Sequence, residues 1–276
     1  MDRTHDTSAI GAWPSEPGTL TRRSAGGEAP LPSETRIQSG SEVFVTPVEW
    51  EPHTHAVHEL VWVRGGTLTA RVGDRLFTVP EGYGLWLPAG VRHGGRLTRR
   101  VELHGAFFAP DRAPTTIVGA VEVAMSPVLH SLLMHLARTD LDPAARARAE
   151  AVVFDVLEPA DAQLSTTVPD DRRIAPVVTA VTEDPADDRG LDDWARSLGV
   201  SERTITRAFR DATGLSFAQW RRTVRVHRAL SLLSEGWDVQ STAEELGYAQ
   251  SSTFIAAFRR VMGTTPGVFG AQRPTM

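Results

Sequence analysis

Four side chains in the first third of the chain have the chemistry of metal ligands: His53, His55, Glu59 and His93. Neutral imidazoles offer nitrogen lone pairs and a carboxylate offers anionic oxygen. Together they suit one divalent transition metal ion, Zn, Fe, Mn, Ni or Co. His53 and His55 are two residues apart, so in a strand both imidazoles leave the same face. Glu59 and His93, from neighbouring strands, complete a four-ligand set. His58 points to the face opposite Glu59, which suits a structural or supporting role, and His104 is a further inward candidate. Trp50, Trp62 and Trp86 read as core, with Trp86 close to the rim of the pocket. The chain has no cysteine, hence no thiolate metal site and no disulfide framework. A serine nucleophile would need a base and an oxyanion site that no spacing reveals.

A second chemistry lies near the C-terminus. All 29 basic residues are arginine. From residue 172 onward there are 14 arginines against 12 acids, and before it 15 against 22. Within 196–228 eight arginines face only Glu202 and Asp211. A net charge of −5 therefore conceals a basic segment, and phosphate attraction acts locally.

Stretch 191–269 must position those arginines, and it contains one small design twice. Each copy has a short amphipathic helix, a turn glycine (Gly199, Gly247), and a second helix closing at Gly214 or Gly263. Leu191, Trp194, Ala195 and Leu198 fall at helical spacing, and Ser201 can cap the next helix. Ile205, Ala208 and Phe209 then face inward and turn Arg203, Thr204, Thr206, Arg207 and Arg210 outward. In the second copy Phe254, Ala257, Phe258 and Val261 form the inner face. A helix over 217–233, with Trp220, Val224, Ala229, Leu232 and Leu233 as apolar positions, joins the copies and stops at Gly236. Helix, tight turn, helix is a layout that places its second helix in the major groove.

The segments SLGVSERTITRAFRDATGLSF, RVHRALSLL and ELGY…STFIAAFRRVMGTTPGVF resemble the DNA-binding domain of AraC/XylS-type transcription regulators, over about the last hundred residues. The resemblance implies two recognition helices reading adjacent major-groove segments of double-stranded promoter DNA. It places Arg203, Thr204, Thr206 and Arg207 on the first reader, and Ser251, Ser252, Thr253 and Ala256 on the second. The family often carries arginine where Ala256 stands, so the second helix is expected to serve mainly in positioning. Arg221, Arg222 and Arg225 on the joining helix, with Arg259 and Arg260, are expected at phosphates.

Between 37 and 110 the pattern is β. Short runs at 42–48, 60–63, 68–72, 76–79, 84–87 and 101–108 are separated by glycine and proline, as in a sandwich or barrel, and Gly73-Asp74 is a hairpin signal. HTHAVHE and GYGLWLPAGVRH resemble the two motifs of the cupin barrel, with the HxHxxxE and PxGxxH spacings intact and Leu97 where asparagine is usual. The resemblance carries metal ligation onto His53, His55, Glu59 and His93. Helices follow at 121–136 and 143–157, the second with Ala149, Val152, Val153, Val156 and Leu157 as its apolar positions; in the AraC/XylS family such helices often pair two subunits, and packing on the barrel serves equally. Stretch 160–171 is a polar linker, and a helix opens near 173.

The expected fold class is α+β in two domains: an N-terminal cupin-like β-barrel followed by helices, and an all-α tandem helix-turn-helix. The boundaries are a flexible arm at 1–35, the sensor barrel at 36–115, a dimerisation or packing segment at 116–160, a linker at 161–171 and the DNA-binding domain at 172–276. The function expected is a cytoplasmic transcription regulator, not an enzyme, that senses a metal ion or small-molecule effector. Homodimerisation is expected, with RNA polymerase contact if it activates, and no membrane segment is expected. The rival is a dioxygenase-like metal-dependent cupin enzyme fused to a DNA-binding module.

Overall fold

The computed structural model describes residues 18–23, 35–113, 117–161 and 163–271. They form two compact units, Gly18–Gly73 with Phe77–Ser165, and the chain from Thr166 onward with Asp74–Leu76.

In chain order the first unit has β1 (Leu20–Arg22), β2 (Ile37–Phe44), β3 (Val48–His53), β4 (His58–Arg64), β5 (Thr67–Val72), β6 (Arg75–Pro80, whose first two residues count with the second unit), β7 (Tyr83–Leu87), β8 (His93–Leu97), β9 (Val101–Phe108), β10 (Val121–Ala124), α1 (Pro127–Leu136) and α2 (Pro143–Val156). Two sheets result: one runs β1-β3-β8-β5-β6, the other β10-β7-β4-β9-β2. The period of two explains the layering. In β4, Val61 and Val63 turn toward the first sheet and share a core with Phe44, Val48, Leu68, Phe77, Leu85 and Leu97. Leu60 and Trp62 turn the other way, onto Leu129, Leu133 and Leu136 of α1 and Val153 of α2. Each such fully buried aliphatic side chain contributes about 1.5–3 kcal/mol.

Several expectations require correction. The β region is a two-sheet sandwich, not a closed barrel: among the described strands no pairing joins one sheet to the other. The run at 42–48 is broken at 45–47, where Pro47 supplies no N–H to a ladder. The helix expected from 121 begins at Pro127, with Ser126 capping it by accepting from the Leu129 N–H at 3.2 Å. Residues before it alternate and pair as β10 with β7. On α2, Val152 is exposed while Glu150 is buried and accepts from the backbone N–H of Arg36 and Ile37 at 3.1 and 3.2 Å. Most of the arm expected at 1–35 lies outside the described residues, and its described part holds β1, paired parallel to β3.

The second unit has β11 (Ser165–Thr167), which begins one residue before the division, then α3 (Ala175–Glu183), α4 (Leu191–Leu198), α5 (Glu202–Thr213), α6 (Phe217–Ser234), α7 (Val239–Glu245), α8 (Ser251–Met262) and α9 (Pro266–Ala271). One core joins Val177, Val178 and Val181 of α3 with Trp194, Ile205, Phe209, Phe217, Trp220 and Val224. Trp220 fixes its orientation by donating to the Thr167 carbonyl at 2.8 Å. Around the far half of α6, Tyr248, Phe254, Phe258 and Phe269 make a chain of ring contacts. Met262, not the expected Val261, is the buried residue ending the inner face of α8. No helix among the described residues is long and apolar enough to cross a membrane.

Candidate metal centre and nucleic-acid interface

His53 closes β3, and strand register sets it opposite His93, the first residue of β8, beyond a bulge that starts after Trp50. Such irregularities re-aim side chains. His55 stands in the turn before β4, not in the same strand as His53 as its spacing implied, and Glu59 is the second residue of β4. The four still converge. His53 Nε2 lies 3.2 Å from His55 Nε2. Glu59 Oε2 lies 3.4 Å from His55 Nε2 and 3.5 Å from His93 Nε2. The three imidazoles each aim a nitrogen into a space no wider than 4.8 Å between donors.

The backbone orients two of these rings. His53 Nδ1 is 2.7 Å from the Glu51 carbonyl and His93 Nδ1 is 3.0 Å from that of Val91. A carbonyl only accepts, so this pattern assigns the proton to Nδ1 and leaves each Nε2 lone pair facing the centre. Burial lowers the His53 pKa, outweighing its bond to Glu51, and so favours the neutral, ligating form. Burial pushes the Glu59 carboxyl up, but His55 and His93 beside it, whose rings donate to it when they carry a proton on Nε2, hold it at about 2, an anion at neutral pH. The donor set therefore fits a divalent transition metal ion.

These donors line a cavity of about 280 Å³ whose other walls include Val61, Leu68, Leu87, Leu103 and Phe107. Arg22 also lines it and pairs with Glu42 at 3.0 Å. Sequence reasoning missed both, because neither lies in a motif. Trp50 lines the cavity, whereas Trp86, expected near its rim, is buried in the core beneath the helices. His58 lies outside the lining set, stacks on Trp86 and accepts from the Ala89 N–H at 3.0 Å. His104 is buried, as expected of an inward residue, and stacks on Trp62 without lining the cavity.

In the second unit, α4 ends at Gly199, whose φ of 65° is the left-handed conformation a tight turn requires. Ser201 then caps α5 by accepting from the Thr204 N–H at 3.1 Å. Ile205, Ala208 and Phe209 are buried. Arg203, Arg207 and Arg210 are exposed, and Thr204 and Thr206 partly so. On α8, Phe254, Ala257 and Phe258 are buried and Ser252, Thr253, Ala256, Arg259 and Arg260 exposed, with Ser251 half-buried. One face of each helix is thus anchored and the other free to meet a groove.

A family model described as a helix-turn-helix domain matches residues 194–272. The chain is 33% identical over 247 residues to the HTH-type transcriptional regulator NimR of Escherichia coli (strain K12), covering 87% of this chain and 88% of that one. It is 30% identical over 219 residues to the HTH-type transcriptional regulator RipA of Corynebacterium glutamicum, covering 76% of this chain and 61% of the relative. Among solved structures it is 29% identical to the DNA-binding domain of AdpA in complex with a target DNA, over 37% of this chain and 92% of that one, with a TM-score of 0.35. The chain belongs to the AraC-type helix-turn-helix transcriptional regulators.

Two arginines of the regulator expected at phosphates are engaged within the protein. Arg225 donates from Nε to the Pro185 carbonyl at 2.7 Å and from Nη2 to those of Ala186 and Asp187 at 3.3 and 3.1 Å. Arg221 donates to the Arg189 carbonyl at 2.8 Å, and burial lowers its pKa. Both line a groove of about 420 Å³ with Arg222, Arg260, Thr253 and Ala256. Spacing placed these arginines on one helix face, but the loop folding back onto that face had no periodic signature.

Proposed function

We propose that the regulator binds double-stranded promoter DNA with α5 and α8 in adjacent major-groove segments. Its cupin-like sheet unit then senses a divalent transition metal ion, or a small molecule held by that ion. The observation that carries the sensing half is the convergence of three imidazole nitrogens and the Glu59 carboxylate at one cavity. His53, His55, Glu59 and His93 would hold the ion, which supplies a Lewis-acidic anchor for a ligand donor atom. The apolar walls would accept the rest of a small effector. Base contacts fall to Arg203, Thr204, Thr206, Arg207 and Arg210, and to Ser251, Ser252 and Thr253. Phosphate contacts fall to Arg222, Arg259 and Arg260. Val128 of α1 and Val152 of α2, both exposed, give a second copy an apolar surface to cover. The relatives named as transcriptional regulators favour this reading over a catalyst.

Sensing requires that the ligand bind the DNA-competent and DNA-incompetent states with different affinity. The test is titration of DNA from upstream of the regulator's own gene, at fixed salt, before and after chelation, with metal content recorded. The expected outcome is a change of about tenfold, roughly 1.4 kcal/mol. Identical tight binding by metal-free protein would show that the four residues belong to the architecture of the sandwich without a sensing role.

A further inference from the structure

The regulator's two motifs share one helix. Phe217, Trp220 and Val224, in the first half of α6, belong to the core of the first motif, while α7, α8 and α9 also pack on α6. A helix fixes the distance between two bodies mounted along it. It fixes their mutual rotation only through side-chain packing, and the rotation decides whether two recognition helices meet successive grooves in phase.

The loop at 184–190 supplies the missing constraint. It connects α3 to α4 and so belongs to the first motif. Arg225 of α6 donates three hydrogen bonds to its carbonyls at Pro185, Ala186 and Asp187, at 2.7, 3.3 and 3.1 Å. The same guanidinium lies 5.3 Å from the ring centre of Tyr248, in the turn of the second motif. Gly247 of that turn has φ 72°, and a Cβ there would stand 2.9 Å from the Ala186 carbonyl oxygen. First motif, joining helix and second turn thus meet at one point. The planar fork of arginine matches it, since a point-charge ammonium cannot reach the three carbonyls in the same way.

We infer that Arg225 is a positioning residue that sets the rotational phase of the second recognition helix against the first, and with it the half-site spacing the regulator accepts. This rests on both helices reading one duplex. It differs from phosphate binding because the N–H groups in question are spent on loop carbonyls and release no counterions from DNA.

The test uses the full chain and a duplex that it selects from a random pool, with variants of that duplex lengthened or shortened by one base pair between the half-sites. The intact regulator should lose roughly tenfold or more on each shifted duplex, the scale of one good base contact. Arg225→Gln should bind the selected duplex more weakly and the shifted ones almost as well, flattening the preference to within a few fold. Its salt slope should be unchanged, whereas loss of a phosphate ligand lowers the slope by about one. Gly247→Ala disturbs the same junction with Arg225 intact and should flatten the preference likewise; circular dichroism establishes that both variants are folded. Uniform loss on all spacings, or a reduced salt slope with the preference kept, would overturn the inference while leaving two-helix binding in place. An intact regulator indifferent to spacing would overturn the two-helix reading itself, and the inference with it.

Discussion

Arg207 shows how exposure and partners sort one arginine from another. Its Nε lies 3.5 Å from Asp211 Oδ2, and both side chains are largely exposed. A pair of that kind is worth about 0–1 kcal/mol, so it holds the guanidinium over the free face of α5 at little cost to its release. Arg225, on a helix face of similar appearance in the sequence, is already engaged by three carbonyls. Arg207→Ala is therefore expected to weaken binding to matched DNA by about 1–3 kcal/mol beyond any loss on scrambled DNA. Parallel titrations of the two duplexes decide it. An equal loss on both would reassign Arg207 to the phosphate backbone.

At the scale of elements, α6 carries a consequence that its sequence only half disclosed. The apolar positions Trp220, Val224, Ala229, Leu232 and Leu233 revealed the helix and its burial, and all five are buried. His227 did not announce itself, because a histidine among arginines reads as part of a basic face; it is buried, and burial holds its imidazole at about 4. The folded state thus binds its proton below the unfolded value near 6.5. His227 contributes stability that is fully present above pH 6.5 and is lost as pH falls toward 4, on the order of 3 kcal/mol in all. Thermal unfolding between pH 7 and 4.5 should show this loss, and His227→Gln should flatten it; an unchanged slope would mean that carboxylates alone set the acid response. The same contrast holds elsewhere. Helix caps, turn glycines and the outward faces of α5 and α8 were legible because local chemistry decides them. In the sandwich, Gly73-Asp74 marked the β5–β6 turn and Pro47 lay at the break between β2 and β3. Pairing of β2 with β9, and closure into sheets instead of a barrel, depend on partners far apart in the chain that no short pattern specifies. The four metal-type residues were found as a set. The reason they meet was missed in part, since His55 arrives from a turn and not from the strand of His53.

For the whole molecule the decisive quantity is the free energy that links its two chemistries. Charge is divided unevenly: 15 arginines against 22 acids up to residue 171, and 14 against 12 beyond it. Electrostatic affinity for DNA therefore resides in the C-terminal part, and it falls with salt in proportion to the phosphates neutralised. A signal at His53, His55, Glu59 and His93, as proposed above, would act on that affinity only through a shift in population between states. Such coupling is reciprocal: if metal changes DNA affinity about tenfold, DNA must change metal affinity by the same factor. Metal titrations of the regulator, with and without saturating matched duplex at one salt concentration, should thus differ by the factor that DNA titrations give with and without metal. Agreement of the two factors would establish a single linked equilibrium. Tight metal binding that is indifferent to DNA would make the centre a structural one, and the search for the signal would then move to an organic molecule in the same cavity.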